Sequence, residues 1–280
     1  MLWKGRRGSS NVQDQRGLAK KGVVGGGIGT IILVVAIYLL GGDPTQLIQM
    51  TQLNNSETAI PQQRTAEEEQ LAQFVSVVLA ETEEVWSELF RREGLRYSYP
   101  NLVLYTGSVQ SACGFASAAT GPFYCPGDQK VYIDLSFCDE LQKRFKAPGD
   151  FAVAYVIAHE VGHHVQKLLG IHDKLMSLRS RLGERDFNKY LVRFELQADY
   201  FAGVWAHYVK RMNLLEEGDL EEALNAASAV GDDRIQKSTR GYVVPDSFTH
   251  GTSEQRKGWF DKGFRSGNMN EGDTFSARNL

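Results

Sequence analysis

The sequence predicts a helix-rich α+β domain with a small β-sheet, preceded by one N-terminal transmembrane helix. Three observations carry that expectation: an uncharged stretch from Gly22 to Gly42, long segments with apolar residues at helical spacing, and a turn-rich region between them holding two short β-prone runs. A chain of 280 residues with 42% hydrophobic and 23% charged residues has the makings of one generous core. Its formal net charge of -3, with no clustered basic excess in the domain, argues against a nucleic-acid partner.

Residues 1–21 read as a basic cytoplasmic N-terminus, with Lys4, Arg6, Arg7, Arg16, Lys20 and Lys21 ahead of the uncharged stretch. Residues 22–42 would then span a bilayer, because a helix rising about 1.5 Å per residue crosses roughly 30 Å over that length. Basic residues before it and Asp43 after it place the remainder outside, as a single-pass inner-membrane protein with a periplasmic or extracytoplasmic domain. A cleaved signal peptide is the competing reading, but no A-x-A-like site follows. Gly25 and Gly29 form a GxxxG pair of little weight in so glycine-rich a stretch. Residues 43–63 turn to Gln, Asn, Thr and Pro, the composition of a polar linker, and the domain follows over 64–280.

Thr65 and Glu68 fit a capping box that opens a helix to about Arg92, with Leu71, Phe74, Val75, Val78, Leu79, Trp86, Leu89 and Phe90 as its buried stripe. "LVLYT" and "KVYIDL" are the strand candidates; Val131, Ile133 and Leu135 alternate with Tyr132 and Asp134. Asp150 is the expected N-cap of the next helix and Gly170 its end. A third helix runs from about Glu184 to Met212, a fourth starts at Asp219, and a last one from about Ser253 carries Trp259, Phe260 and Phe264 inward. An extracytoplasmic domain permits disulfides. Cys113 and Cys125 flank a small-residue loop and are the preferred pair; closing it contributes roughly 3 kcal/mol in the chain-entropy model. Cys138 is then left as a buried free thiol.

The helix from Asp150 holds "YVIAHEVGHHVQKLLG". His159 and His163 are four apart, so their imidazoles share one helix face and can converge on a single Zn²⁺. Glu160, about 100° round the helix, is placed to act on a water rather than to ligate. Ala154, Val156, Ile157, Val161, Val165 and Leu168 make this helix apolar nearly all round, so its polar residues need a reason to be buried. Gly162 at its centre suggests a close backbone approach. His164 points away from His163 and reads as a support, not a ligand.

A catalytic zinc usually has three protein ligands and one open position. "FELQADYFAGVW" supplies the third: Glu195 lies at the edge of its helix's apolar stripe, facing the core. Asp199, one turn on, is placed to accept the remaining N–H of a metal-bound histidine.

"HEVGHH" followed by "ELQAD" resembles the gluzincin arrangement, HExxH with a distal ExxxD. With "LWKGRRGSSNVQD", "GPFYCPGDQKVYIDLSF", "IAHEVGHHVQ", "ELQADYFAGVWA" and "VVPDSFTHGTSEQR" in order, nearly the whole chain resembles the neutral zinc metallopeptidase family of bacteria. The resemblance implies a zincin-like fold, one Zn²⁺ per chain, and a peptidase, expected to be an endopeptidase, acting on peptide or protein substrates. It also implies that an extended peptide would pair with the edge of the strand at "KVYIDL".

On this reading His159, His163 and Glu195 hold the metal, and Glu160 takes a proton from water and returns it to the leaving amine. His250, in "SFTHGTS", is the candidate electrophile for the tetrahedral intermediate. The rival is an inactive, peptidase-like binding or scaffold protein of the cell envelope with a structural zinc. Such sites are usually closed by four Cys or His ligands, unlike the set here.

Overall fold

The computed structural model describes residues 1–17 and 64–280. Among them, helices α1 (Ala66–Arg92), α2 (Ser136–Lys143), α3 (Asp150–Leu168), α4 (Ile171–Leu178), α5 (Glu184–Arg211), α6 (Asp219–Ala229), α7 (Asp232–Arg240) and α8 (Ser253–Ser266) accompany six short strands. The strands are β1 (Val12–Asp14), β2 (Asn101–Tyr105), β3 (Ser108–Ser111), β4 (Gly114–Ser117), β5 (Phe123–Cys125) and β6 (Lys130–Asp134).

The helical stripes read from the sequence face the core. Phe74, Val78, Trp86 and Phe90 of α1, and Ala198, Phe201, Trp205 and Val209 of α5, are buried. Helix α3 is buried almost along its length, from Phe151 to Gln166 with His163 the single partly exposed residue, as its apolar circumference demands. It starts one residue earlier than a capping Asp150 would require. Gly149 is the cap and Asp150 the first helical residue.

Four strands form one sheet in the order β1-β2-β6-β5. β1 runs parallel to β2 and β2 to β6, while β5 pairs antiparallel with β6. β3 and β4 make a separate hairpin. The expectation that the "KVYIDL" strand offers a free edge is corrected here: β6 is flanked by β2 and β5, and β5 is the edge strand on its side of the sheet, with β1 at the opposite edge. Three residues of β5 have too little periodicity to announce a strand; its pairing with β6 makes it one. Cys113, in the β3–β4 turn, is bridged to Cys125 at the end of β5, and Cys138 on α2 is free. Burial pushes the Cys138 thiol up to about 12.

The expected transmembrane helix is the main correction. Among the described residues no helix is long and apolar enough to cross a membrane, and the stretch 22–42 lies outside them. The basic N-terminus, expected to lie across a membrane from the domain, instead shares a compact unit with it: residues 1–15 belong with 66–280. Trp3 is buried edge-on to Phe74 of α1, with ring centroids 5.4 Å apart, and Val12–Asp14 join the sheet beside β2. The Arg6 guanidinium meets the buried Glu81 at 2.7 Å, and Ser9 and Asn11 donate to the buried Glu83 at 2.6 and 2.8 Å. The terminal ammonium lies 2.9 Å from Asp150, 2.8 Å from Glu216 and 3.1 Å from Asp219. A single span cannot separate two segments that bury their side chains in one core.

Candidate active site

Helices α3 and α5 bring the expected ligands together. His159 and His163 stand one turn apart on α3, ring centroids 4.8 Å apart, and both Nε2 atoms face Glu195 of α5. Glu195 Oε2 is 3.2 Å from His159 Nε2 and 3.5 Å from His163 Nε2. One ligand atom from each residue falls within 4.8 Å of the others.

Each histidine is held from behind. The Nδ1 atom of His159 lies 2.8 Å from Asp199 Oδ1. That of His163 lies 2.8 Å from Gln166 Oε1, whose amide nitrogen donates to the Phe194 carbonyl at 2.7 Å. The Phe194 ring stacks on His163 at 5.0 Å. Asp199 and Gln166 can only accept at those oxygens, so each imidazole carries its proton on Nδ1 and turns an Nε2 lone pair inward.

Two Nε2 atoms and a carboxylate oxygen converging at such distances call for a positive centre among them, a metal cation or a proton shared between His159 Nε2 and Glu195 at 3.2 Å. The donor set suits zinc, which takes imidazole nitrogens and one carboxylate oxygen and leaves a coordination position free. The same crowding raises the His159 imidazolium to about 9: burial, the largest influence, opposes the charge, and Asp199 and Glu195 outweigh it. Burial also opposes ionisation of Glu195, yet His163 and His159 hold its carboxyl well below the usual range. Asp199, fully buried, is held at about 2 against its burial by Arg256 and His159.

Glu160 is buried on the next face of α3, and burial pushes its carboxyl upward, with His163 and His159 acting the other way. The backbone N–H of Tyr124, on the edge strand β5, also favours its charged form. His164 does not join the ligands. It accepts from the Tyr124 hydroxyl at 3.0 Å and donates through Nε2 to the Ser98 carbonyl at 2.7 Å, tying α3 to β5.

His250 lines the same cleft as His159, Glu160 and Glu195, a space of about 460 Å³ whose walls include Phe123, Phe137, Met176, Leu191 and Ile235. The backbone N–H groups of Thr249, His250 and Gly251 all donate to Asp232 Oδ2, at 2.8, 2.6 and 3.0 Å. The His250 ring meets Asp232 Oδ1 at 3.3 Å. The His250 side chain is about half exposed at the cleft mouth, and although partial desolvation works against it, its imidazolium is raised by Asp232 and Glu195.

The sequence reading missed Gln166, Tyr155, Asp232 and Arg256. Gln166 could have been found, since it follows His163 by one helical turn on a buried face. Tyr155, whose hydroxyl donates to Asp199 at 2.5 Å, precedes His159 by one turn on the same buried face and could have been found likewise, whereas Asp232 and Arg256 act across long separations that no local pattern marks.

Gly162 explains its place in the motif. A Cβ there would lie 2.9 Å from the Ala198 carbonyl oxygen, so α3 and α5 touch backbone to backbone beside the ligands.

Comparison with known proteins gives the family of the chain. The family described as "putative neutral zinc metallopeptidase" matches residues 1–275. "Uncharacterized protein YpfJ" of Escherichia coli K12 is 47% identical over 286 residues, covering 98% of this chain and 99% of the relative. "Uncharacterized protein Rv2575" of Mycobacterium tuberculosis H37Rv is 44% identical over 195 residues, covering 66% of this chain and 65% of the relative. No solved structure matches. With one family spanning nearly the whole sequence and a relative alike from end to end, this chain belongs to the family described as "putative neutral zinc metallopeptidase".

Proposed function

We propose that the protein is a peptidase that cleaves peptide bonds with one zinc ion held by His159, His163 and Glu195. The observation that carries this reading is the convergence of two Nε2 lone pairs and Glu195 Oε2, with both Nδ1 protons already committed to Asp199 and Gln166. Zinc held there supplies Lewis acidity to a water and to the carbonyl of the scissile bond.

The chain's own residues supply the rest. Glu160 reaches the cleft from the helix face beside the ligands, and its raised carboxyl suits a base that takes a proton from the attacking water and returns it to the leaving amine. His250, braced by Asp232 on a loop lining the same cleft, donates to the oxygen that gathers negative charge. The edge strand β5 supports binding of an extended peptide alongside Tyr124, next to Glu160. The apolar walls favour substrates with large apolar side chains near the cut.

Metal analysis and peptide turnover together test the reading. The wild-type chain is expected to hold one zinc and Glu195→Ala to bind it weakly. Glu160→Gln is expected to keep the metal while losing about 100-fold or more in kcat. Zinc retained by an inert wild-type protein would instead favour a binding or scaffold role. A Glu160→Gln variant as active as wild type would remove Glu160 from its role.

A further inference from the structure

Arg256 lies in the first turn of α8, which Thr252 and Gln255 start with a reciprocal capping box. Its side chain is 4% exposed, and it faces a fully buried carboxylate on another helix, Asp199 of α5. Nε donates to Asp199 Oδ2 at 2.8 Å and Nη2 to Oδ1 at 2.9 Å, the two-pronged match of guanidinium and carboxylate. Nη2 also reaches the Tyr155 hydroxyl at 3.2 Å, and Nη1 donates to the Val230 carbonyl at 3.2 Å.

The two oxygens of Asp199 do different work. Oδ1 accepts from His159 Nδ1 at 2.8 Å and from Tyr155 Oη at 2.5 Å. For Oδ2, the side-chain donor is Arg256. A carboxylate held at one oxygen can swing about its Cβ–Cγ bond; held at both by a planar fork, it cannot. The orientation of Asp199, and so of the imidazole that leans on it, is therefore set from α8.

Helix α8 is itself placed without slack. A methyl on Gly203 of α5 would collide with the Phe260 carbonyl, and one on Gly263 of α8 would collide with the Tyr200 carbonyl. Backbone contact at both glycines fixes the height and rotation at which α8 presents Arg256 to Asp199.

We propose that Arg256 is a positioning residue of the metal site, fixing the plane of Asp199 from which His159 takes its orientation and thereby setting how tightly the site holds zinc. This rests on the zinc reading above. A bond that only stapled α8 to α5 would contribute to folding and leave metal affinity alone. Arg256 Nη2 also lies 3.3 Å from His159 Nδ1, but that nitrogen gives its proton to Asp199 and has no lone pair for Arg256, so Arg256 acts on His159 through the intervening carboxylate.

The test uses the full chain as wild type, Arg256→Lys, Asp199→Asn and the double variant Asp199→Asn/Arg256→Met. The double variant removes both buried charges and so avoids stranding either one. Zinc affinity is read by competition with a chromophoric chelator, and site geometry by the visible absorption of bound cobalt(II). Arg256→Lys keeps the charge but not the fork, and is expected to weaken zinc binding about 10-fold and shift the cobalt bands. Asp199→Asn is expected to cost about 10- to 100-fold. Adding Arg256→Met to it should change affinity by no more than about twofold, because the route through Asp199 is already cut.

An Arg256→Lys variant with wild-type affinity and an unchanged cobalt spectrum overturns the proposal. So does a further loss of about 10-fold or more on adding Arg256→Met to Asp199→Asn, since Arg256 would then act by another route. A wild-type chain that takes up neither metal overturns the zinc reading itself, and this inference with it.

Discussion

Gly162 and Ala198 stand so close that a Cβ on the glycine would lie 2.9 Å from the alanine's carbonyl oxygen and 3.2 Å from its Cα. Gly162 precedes His163, a proposed zinc ligand, and Ala198 precedes Asp199. The contact therefore sets the spacing between the helix that carries the histidines and the one that carries their carboxylate partners. Gly162→Ala is expected to push α3 and α5 apart, costing about 1–3 kcal/mol as overpacking and weakening zinc binding as well. Chemical denaturation and a chelator competition on the same variant check both. Unchanged metal affinity would mean the contact serves packing alone.

Gln166 accepts the His163 Nδ1 proton at 2.8 Å and is itself fixed by the Phe194 carbonyl. Gln166→Leu preserves much of the volume and removes the acceptor. Zinc affinity is expected to fall about 10- to 100-fold, with the histidine ring free to turn or to carry its proton on the other nitrogen. A competition titration that finds wild-type affinity would show that stacking on Phe194 orients His163 by itself.

His250 is raised above its ordinary value of 6.5; partial desolvation by the cleft, the largest influence, opposes the shift and Asp232 and Glu195 outweigh it. The charged, donating form is thus retained past pH 6.5 and lost as pH rises through the raised value, so the alkaline limb of kcat lies above 6.5. Asp232→Asn removes a main partner and is expected to move that limb to lower pH. His250→Ala should lower kcat by about 100-fold or more with zinc content unchanged. A pH profile identical in the Asp232→Asn variant would dissociate His250 from the reaction.

Trp3 tests the placement of the N-terminus. It is 8% exposed and packs against Phe74, so Trp3→Ala is expected to destabilise the domain by about 3–5 kcal/mol. A tail lying free of the domain would leave the unfolding midpoint where it was.

Much of the proposed metal site was legible in one local pattern. His159, Glu160 and His163 lie within five residues, and the 3.6-residue period of a helix sorts them onto faces whatever the rest of the chain does. Glu195 and Asp199 repeat the logic on a second helix, and the apolar stripe says which side of it faces inward. The long helices were legible for the same reason. A period sustained over many residues is a property of the chain itself, read before any fold exists.

The rest is pairing between distant residues, which periodicity cannot report. Asp232 meets His250 across 18 positions, Arg256 meets Asp199 across 57, and Arg6 meets Glu81 across 75. Strand β5 exists through its pairing with β6, and its edge replaces the one expected on β6. Charge and hydropathy alone favoured a basic tail set apart by a membrane span. Burial of Trp3, with Glu81 and Glu83 meeting Arg6, Ser9 and Asn11, decided where residues 1–15 belong. Helix faces follow from bonds between near neighbours, so the sequence by itself determined which residues could grip a metal. Their aim depends on packed backbones and buried charge partners drawn from far along the chain, so only the tertiary structure decided how they are held.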